Sequence, residues 1–250
     1  MNKIPLYGFN NLTKNLSFSL YKLHYLHDSP SQRNYNNYIN ECFGAEKLTA
    51  LLVKICHTIG GNVLNIAEQN YQPQGASVTL MISEEAQPSP SAESLVAHLD
   101  KSHLCIHTYP EEAPQSNIAI FRADIELSTC GVISPLKVLN YVIEEFDADV
   151  VDIDYRTRGM TRDTQGKKLF VDDNLGNIGD YLNTKIKNSF KVENHNLTVH
   201  NIFHSKLCKN EITLNDYLLE YNSSDLGVTR QNEIKTQIER ELQQLYTNSA

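Results

Sequence analysis

The spacing of apolar positions divides the chain into alternating strands and helices. Residues 45–59 carry Leu48, Leu51, Leu52, Ile55 and Ile59 at helical spacing, and the Gly60-Gly61 pair stops that helix. Residues 62–67 and 76–82 are rich in β-branched residues and bounded by turn residues, which predicts strands. The polar stretch 83–93 holds two prolines and predicts a surface loop. Beyond it, 95–99 and 103–108 predict strands on either side of Asp100-Lys101-Ser102, and 117–127 predicts another. Ser134-Pro135 offers an N-cap followed by Pro at the first helical position, opening a helix over 136–146. A buried strand over 149–155, turns around Gly159 and Gly166, and a final helix near 229–246 complete the pattern. Strands followed by packed helices predict an α/β (α+β) sandwich of largely antiparallel sheets.

Composition narrows the function classes. The 250 residues are 40% hydrophobic and 21% charged, an ordinary globular balance that excludes disorder and fibres. Thirty acidic against 22 basic residues give a net charge of −8, so no nucleic-acid partner is expected. No apolar run of membrane-spanning length is present, and no membrane partner is expected. The segment Met1–Tyr7 lacks the apolar core of an export signal. Five cysteines without a Cys-x-x-Cys pair predict free thiols and a cytoplasmic location.

Reactive side chains are densest at His98, Asp100, Ser102, His103, Cys105 and His107. On a strand, His103, Cys105 and His107 would share one face. Zinc suits such residues, but three ligands along one strand span about 13 Å, too far for one ion. A polar sheet face with satisfied histidines is the other reading, and no metal ligand set is assigned. Cys130, in Ser128-Thr129-Cys130-Gly131, ends a strand ahead of the expected helix, where amide donors can favour a thiolate; a buried, inert cysteine is the alternative. Phosphate-loop, dinucleotide-binding, nucleophile-elbow and paired-carboxylate patterns are missing. The residues alone therefore lead to an enzyme with a Ser/His/Cys site.

Six stretches resemble the bacterial S-adenosylmethionine decarboxylase proenzymes of the longer, enterobacterial type. They are YGFNNLTKNLSF (7–18), NIAEQNYQPQGASVT (65–79), VAHLDKSHLCIHTYPE (96–111), FRADIELSTCGVISPLKVLNYV (121–142), DIDYRTRGMTRD (152–163) and NIFHSK (201–206). The resemblance implies one domain, 1–250, that cuts itself at Lys101-Ser102 into a β chain (1–101) and an α chain (102–250). The Ser102 hydroxyl would attack the Lys101 carbonyl to give an ester. Loss of the Ser102 α-proton to His107 would then eliminate that ester and leave a covalent pyruvoyl group, with Ser77 assisting.

The same resemblance implies that the substrate amine forms a Schiff base with the pyruvoyl ketone, which accepts electrons as carbon dioxide leaves. Cys130 would then protonate the product carbon, a role that needs a neutral thiol. Tyr71 is implied to stack on adenine, Glu111 to take both ribose hydroxyls, and Phe9 to offer a second ring. Gln72 stands where relatives carry Glu. Magnesium as an activator and assembly of αβ units into a homo-oligomer are also implied. Two rival classes compete: a non-processing regulatory paralogue, and a pyruvoyl enzyme acting on ornithine or arginine.

Overall fold

The computed structural model describes residues 4–83, 102–111, 117–219 and 221–249, with backbone alone at 7–9. Of the loop expected over 83–93, Ser83 instead ends a strand, while residues 84–93, the strand expected over 95–99, and Lys101 lie outside the described residues. Strands β1 (Leu6–Asn10) and β2 (Thr13–Tyr25) lead into helices α1 (Ser29–Phe43) and α2 (Ala45–Ile59). Strands β3 (Asn62–Asn70), β4 (Ala76–Ser83), β5 (His103–Pro110) and β6 (Ile118–Cys130) follow. A 3-10 turn, Pro135–Val138, passes into α3 (Leu139–Glu145). Then come β7 (Val150–Arg158), β8 (Thr161–Asp163), β9 (Lys168–Leu169), α4 (Thr184–Ser189), β10 (Phe190–Leu197), β11 (Ile202–Lys209) and α5 (Val228–Thr247).

Eight strands form one sheet in the order β10-β11-β7-β2-β6-β5-β4-β3, with every neighbouring pair antiparallel. A smaller sheet joins β1, β8 and β9. Strand alternation explains the layering. Leu16, Phe18 and Leu20 of β2, Val78 and Leu80 of β4, Leu104 and Ile106 of β5, and Ile125 and Leu127 of β6 are buried on one face. Helices α1, α2 and α3 cover that face through residues such as Ile39, Leu52 and Val142. Each fully buried side chain of this size contributes about 1.5–3 kcal/mol. The antiparallel α/β layering expected from the pattern is what the chain adopts.

Helix α2 ends as expected, with Gly60 left-handed at φ 94° and its amide returned to the last turn. Ser134 and Pro135 do begin a helical segment, but the Ser134 side chain makes no capping bond. The first turn is instead closed by Lys137 N donating to Ser134 O at 3.4 Å, so a tight 3-10 turn precedes α3. The continuous helix expected over 136–146 is thereby divided.

The sheet's far face is apolar only at one end. There Leu23, Tyr25, Ile118 and Val150 pack under Ile234, Ile238 and Leu242 of α5, with Tyr217 and Leu218 alongside. Asp149 anchors this closure. Fully buried, it accepts from Leu23 N at 2.8 Å and Tyr217 Oη at 3.0 Å, with Lys209 Nζ at 3.3 Å. Replacing Asp149 by Ala leaves those buried donors without an acceptor. The expected loss is about 3–5 kcal/mol in urea unfolding, and an unchanged midpoint would contradict it.

Candidate active site

Away from α5, alternation turns Ser77, Thr79 and Met81 of β4, His103, Cys105 and His107 of β5, and Asp124, Glu126, Ser128 and Cys130 of β6 to the far face. Ladder register aligns Ser77, His107 and Asp124 in one row, Ser77 opposite His107 and His107 opposite Asp124. Side chains so paired have Cβ atoms about 4.5–5.5 Å apart. Tyr71 joins the row, its hydroxyl 3.3 Å from His107 Nδ1.

The turn carrying Tyr71 is fixed locally. Tyr71 N donates to Gly75 O at 2.8 Å, and Ala76 N donates to Thr108 Oγ1 at 2.8 Å. Gly75 has φ +98°, and a Cβ there would lie 2.8 Å from Thr108 O, so only glycine lets the turn lie against β5. Tyr71, Gln72 and Pro73 also wall a cleft of about 430 Å³ shared with the α1–α2 corner. Glu111, past the end of β5, is exposed, and its Oε2 accepts from Ile120 N at 3.1 Å.

Ser102 and Cys130 lie at the opposite end of the strands. Ser102 is 2% exposed just ahead of β5, and its carbonyl accepts from Ile82 N at 3.3 Å. Cys130 closes β6 opposite Thr13, with Sγ and Oγ1 4.0 Å apart. Gly131 follows at φ 64°, its amide donating to Leu12 O at 3.1 Å. On the covered side, Lys14 Nζ donates to Gly131 O at 2.8 Å and to Asp172 Oδ2 at 2.7 Å.

The structure therefore gathers the expected residues into two groups rather than one. Ser77, Tyr71 and His107 stand together; Ser102 and Cys130 stand near the other end. Five residues of extended chain separate Ser102 from His107, about 16 Å. Glu111 lies four residues beyond His107, farther still from Ser102. The side chain of Phe9 lies outside the described residues. Burial, then Glu126, raises the Cys105 thiol above its ordinary range, which keeps it protonated. Among the described residues no three His, Cys, Asp or Glu side chains converge as metal ligands.

Sequence reading missed Thr108, Asp124, Lys14 and Asp172. Lys14 had a visible signal, a lysine at an apolar-face position in the alternation Leu12, Lys14, Leu16, Phe18. Asp124 had none, because opposition to His107 depends on register.

These features define an α/β layered protein whose antiparallel sheet carries Ser, His and Cys groups on and beside a polar face. The family profile described as S-adenosylmethionine decarboxylase matches residues 40–159. An S-adenosylmethionine decarboxylase proenzyme of Citrobacter koseri is 44% identical over 256 residues, covering 98% of this chain and 97% of the relative. The proenzyme of Salmonella arizonae matches with the same identity and coverage. A crystal structure of the Aquifex aeolicus adenosylmethionine decarboxylase aligns with 62% of this chain and 96% of its own, at TM-score 0.39 and 17% identity. The chain belongs to the S-adenosylmethionine decarboxylase family.

Proposed function

We propose that this protein decarboxylates S-adenosylmethionine to S-adenosylmethioninamine, the aminopropyl donor for spermidine synthesis, after cutting itself at Lys101-Ser102. The carrying observation is kinship to named decarboxylase proenzymes along 98% of the chain, with Ser102, His107 and Cys130 all in place. Tyr71 and Glu111, suited to an adenosine, favour this substrate over ornithine or arginine.

The surroundings of Ser102 fit a pyruvoyl group at that position. The residue is shielded from water, and its carbonyl is already held by the Ile82 amide. Such a group supplies an electrophilic ketone and an electron sink for the departing carboxylate. Cys130 provides the proton for the product carbon, and His107 the base for processing. Ser77, one strand across from His107, assists that base.

Proton transfer needs contact distance, and about 16 Å of strand is too long. We therefore complete the site between two αβ units. Ser102 and Cys130 of one unit meet Ser77, His107, Tyr71 and Glu111 of a second copy. The polar far face, left uncovered by α5 along much of β4, β5 and β6, is the surface that brings them together. The cleft beside Tyr71 has the size of a small-ligand pocket and receives the adenine. Phe9 is assigned as a second ring at the nucleoside.

Magnesium keeps its waters and needs one or two carboxylates. No ligand set for it is assigned, and no step is routed through it. Five free cysteines support a cytoplasmic location. Among the described residues no helix is long and apolar enough to cross a membrane.

Carboxyl-labelled substrates test the reading. Labelled carbon dioxide is expected from S-adenosylmethionine and not from ornithine or arginine; the reverse result would overturn the assignment. Cys130→Ala is expected to process normally and to decarboxylate about 10²–10⁴-fold more slowly, and normal turnover would refute its acid role.

A further inference from the structure

A lysine with no exposed surface sits in the layer beneath Cys130, and the proposed chemistry does not yet use it. Lys14 points from β2 to the helix-covered side, in line with the buried Leu16, Phe18 and Leu20 of the same strand. Burying an ammonium group is costly unless it is paired and fully hydrogen-bonded. Asp172, 5% exposed, supplies the charge partner at 2.7 Å. Asp172 is itself held, its carbonyl accepting from Ile4 N at 3.0 Å.

What Lys14 grips is the peptide just past Cys130. Gly131 takes a left-handed φ of 64°, and this turn fixes where the Cys130 side chain leaves the sheet. Its amide is held by Leu12 O at 3.1 Å and its carbonyl by Lys14 Nζ at 2.8 Å. The residues on either side of Thr13, itself opposite Cys130, thus clamp the turn from both ends. A charged donor makes a hydrogen bond roughly twice as strong as a neutral one.

We propose that the buried Lys14–Asp172 pair is a positioning device for Cys130, fixing the Gly131 peptide so that the thiol presents its proton to one carbon only. This rests on the assignment of Cys130 as proton donor. A donor that wanders can protonate the wrong carbon, that of the α-chain terminus. Uptake of one water then leaves the terminus as alanine and releases the product as an aldehyde, with no external oxidant. Misplacement should therefore change the outcome of turnover as well as its rate.

The test uses the full-length processed enzyme and Lys14→Met, of similar length without charge. Two readouts are taken: the fraction of α chains ending in alanine per turnover, and the site-resolved rate of iodoacetamide alkylation at each cysteine. Lys14→Met is expected to raise the alanine fraction at least about tenfold and to alter Cys130 alkylation several-fold, while Cys42, Cys56, Cys105 and Cys208 react as before. An unchanged alanine fraction with unchanged Cys130 alkylation overturns the proposal. Should Lys14→Met fail to fold, Asp172→Asn decides: it keeps shape and removes the countercharge, and the same two changes are expected in milder form. Failure of the decarboxylase assignment would show separately, as a wild-type enzyme with no turnover, and the alkylation comparison would still judge the clamp.

Discussion

Ser102→Ala yields a single uncut chain of 28.4 kDa with no decarboxylase activity. On the proposed assignment the hydroxyl is the nucleophile for the Lys101 carbonyl, and alanine removes it. The fold should survive, because the carbonyl bond from Ile82 is unaffected and the side chain loses a single oxygen. Denaturing electrophoresis reads the first outcome and labelled carbon dioxide the second. Cleavage of the Ser102→Ala chain at the same bond would remove Ser102 from its role.

His107→Ala gives the other large effect. Attack by Ser102 still forms the ester, but removal of its α-proton has lost its base and slows by about 10²–10⁴-fold. The precursor should accumulate as an ester that hydroxylamine cleaves between residues 101 and 102. Co-expression with Ser102→Ala tests the site's composition. If the site is shared between two copies, the Ser102→Ala chain lends its His107 and cleavage of the His107→Ala chain resumes. Absence of any rescue would place base and nucleophile within one unit, against the 16 Å of strand between them.

The elements that the sequence made legible are those whose periodicity is undisturbed. Helix α2 and strands β4, β5 and β7 show their buried faces in simple alternation or helical spacing. Helix α5 was visible near its true limits because Ile234, Ile238, Leu242 and Tyr246 recur every four residues. Helix α1 escaped notice, since its buried stripe of Ser31, Tyr35, Ile39 and Phe43 is thinly apolar amid Asn, Gln and Arg. Its capping box at Asp28 and Ser31 was the signal available. Strand β2 is not among the elements expected from the pattern, although Leu16, Phe18 and Leu20 alternate with polar residues over its first half; from Leu23 onward it buries both faces.

The site divides in the same way. Motif resemblance names Ser102, His107 and Cys130, since each sits in a distinctive local string. Register and packing carry the rest. Ser77 opposite His107, Tyr71 beside it, and the Lys14–Asp172 pair all join residues distant in sequence. Five residues of extended chain put His107 about 16 Å from Ser102, a distance that follows from the sequence once 103–108 is read as a strand.

Denaturing intact mass of the purified protein, with and without borohydride plus S-adenosylmethionine, tests the central claim most directly. The account predicts two chains split between Lys101 and Ser102. The α chain should have a blocked N-terminus and gain substrate-derived mass on reduction. A stable 28.4 kDa chain that gains no mass would contradict it.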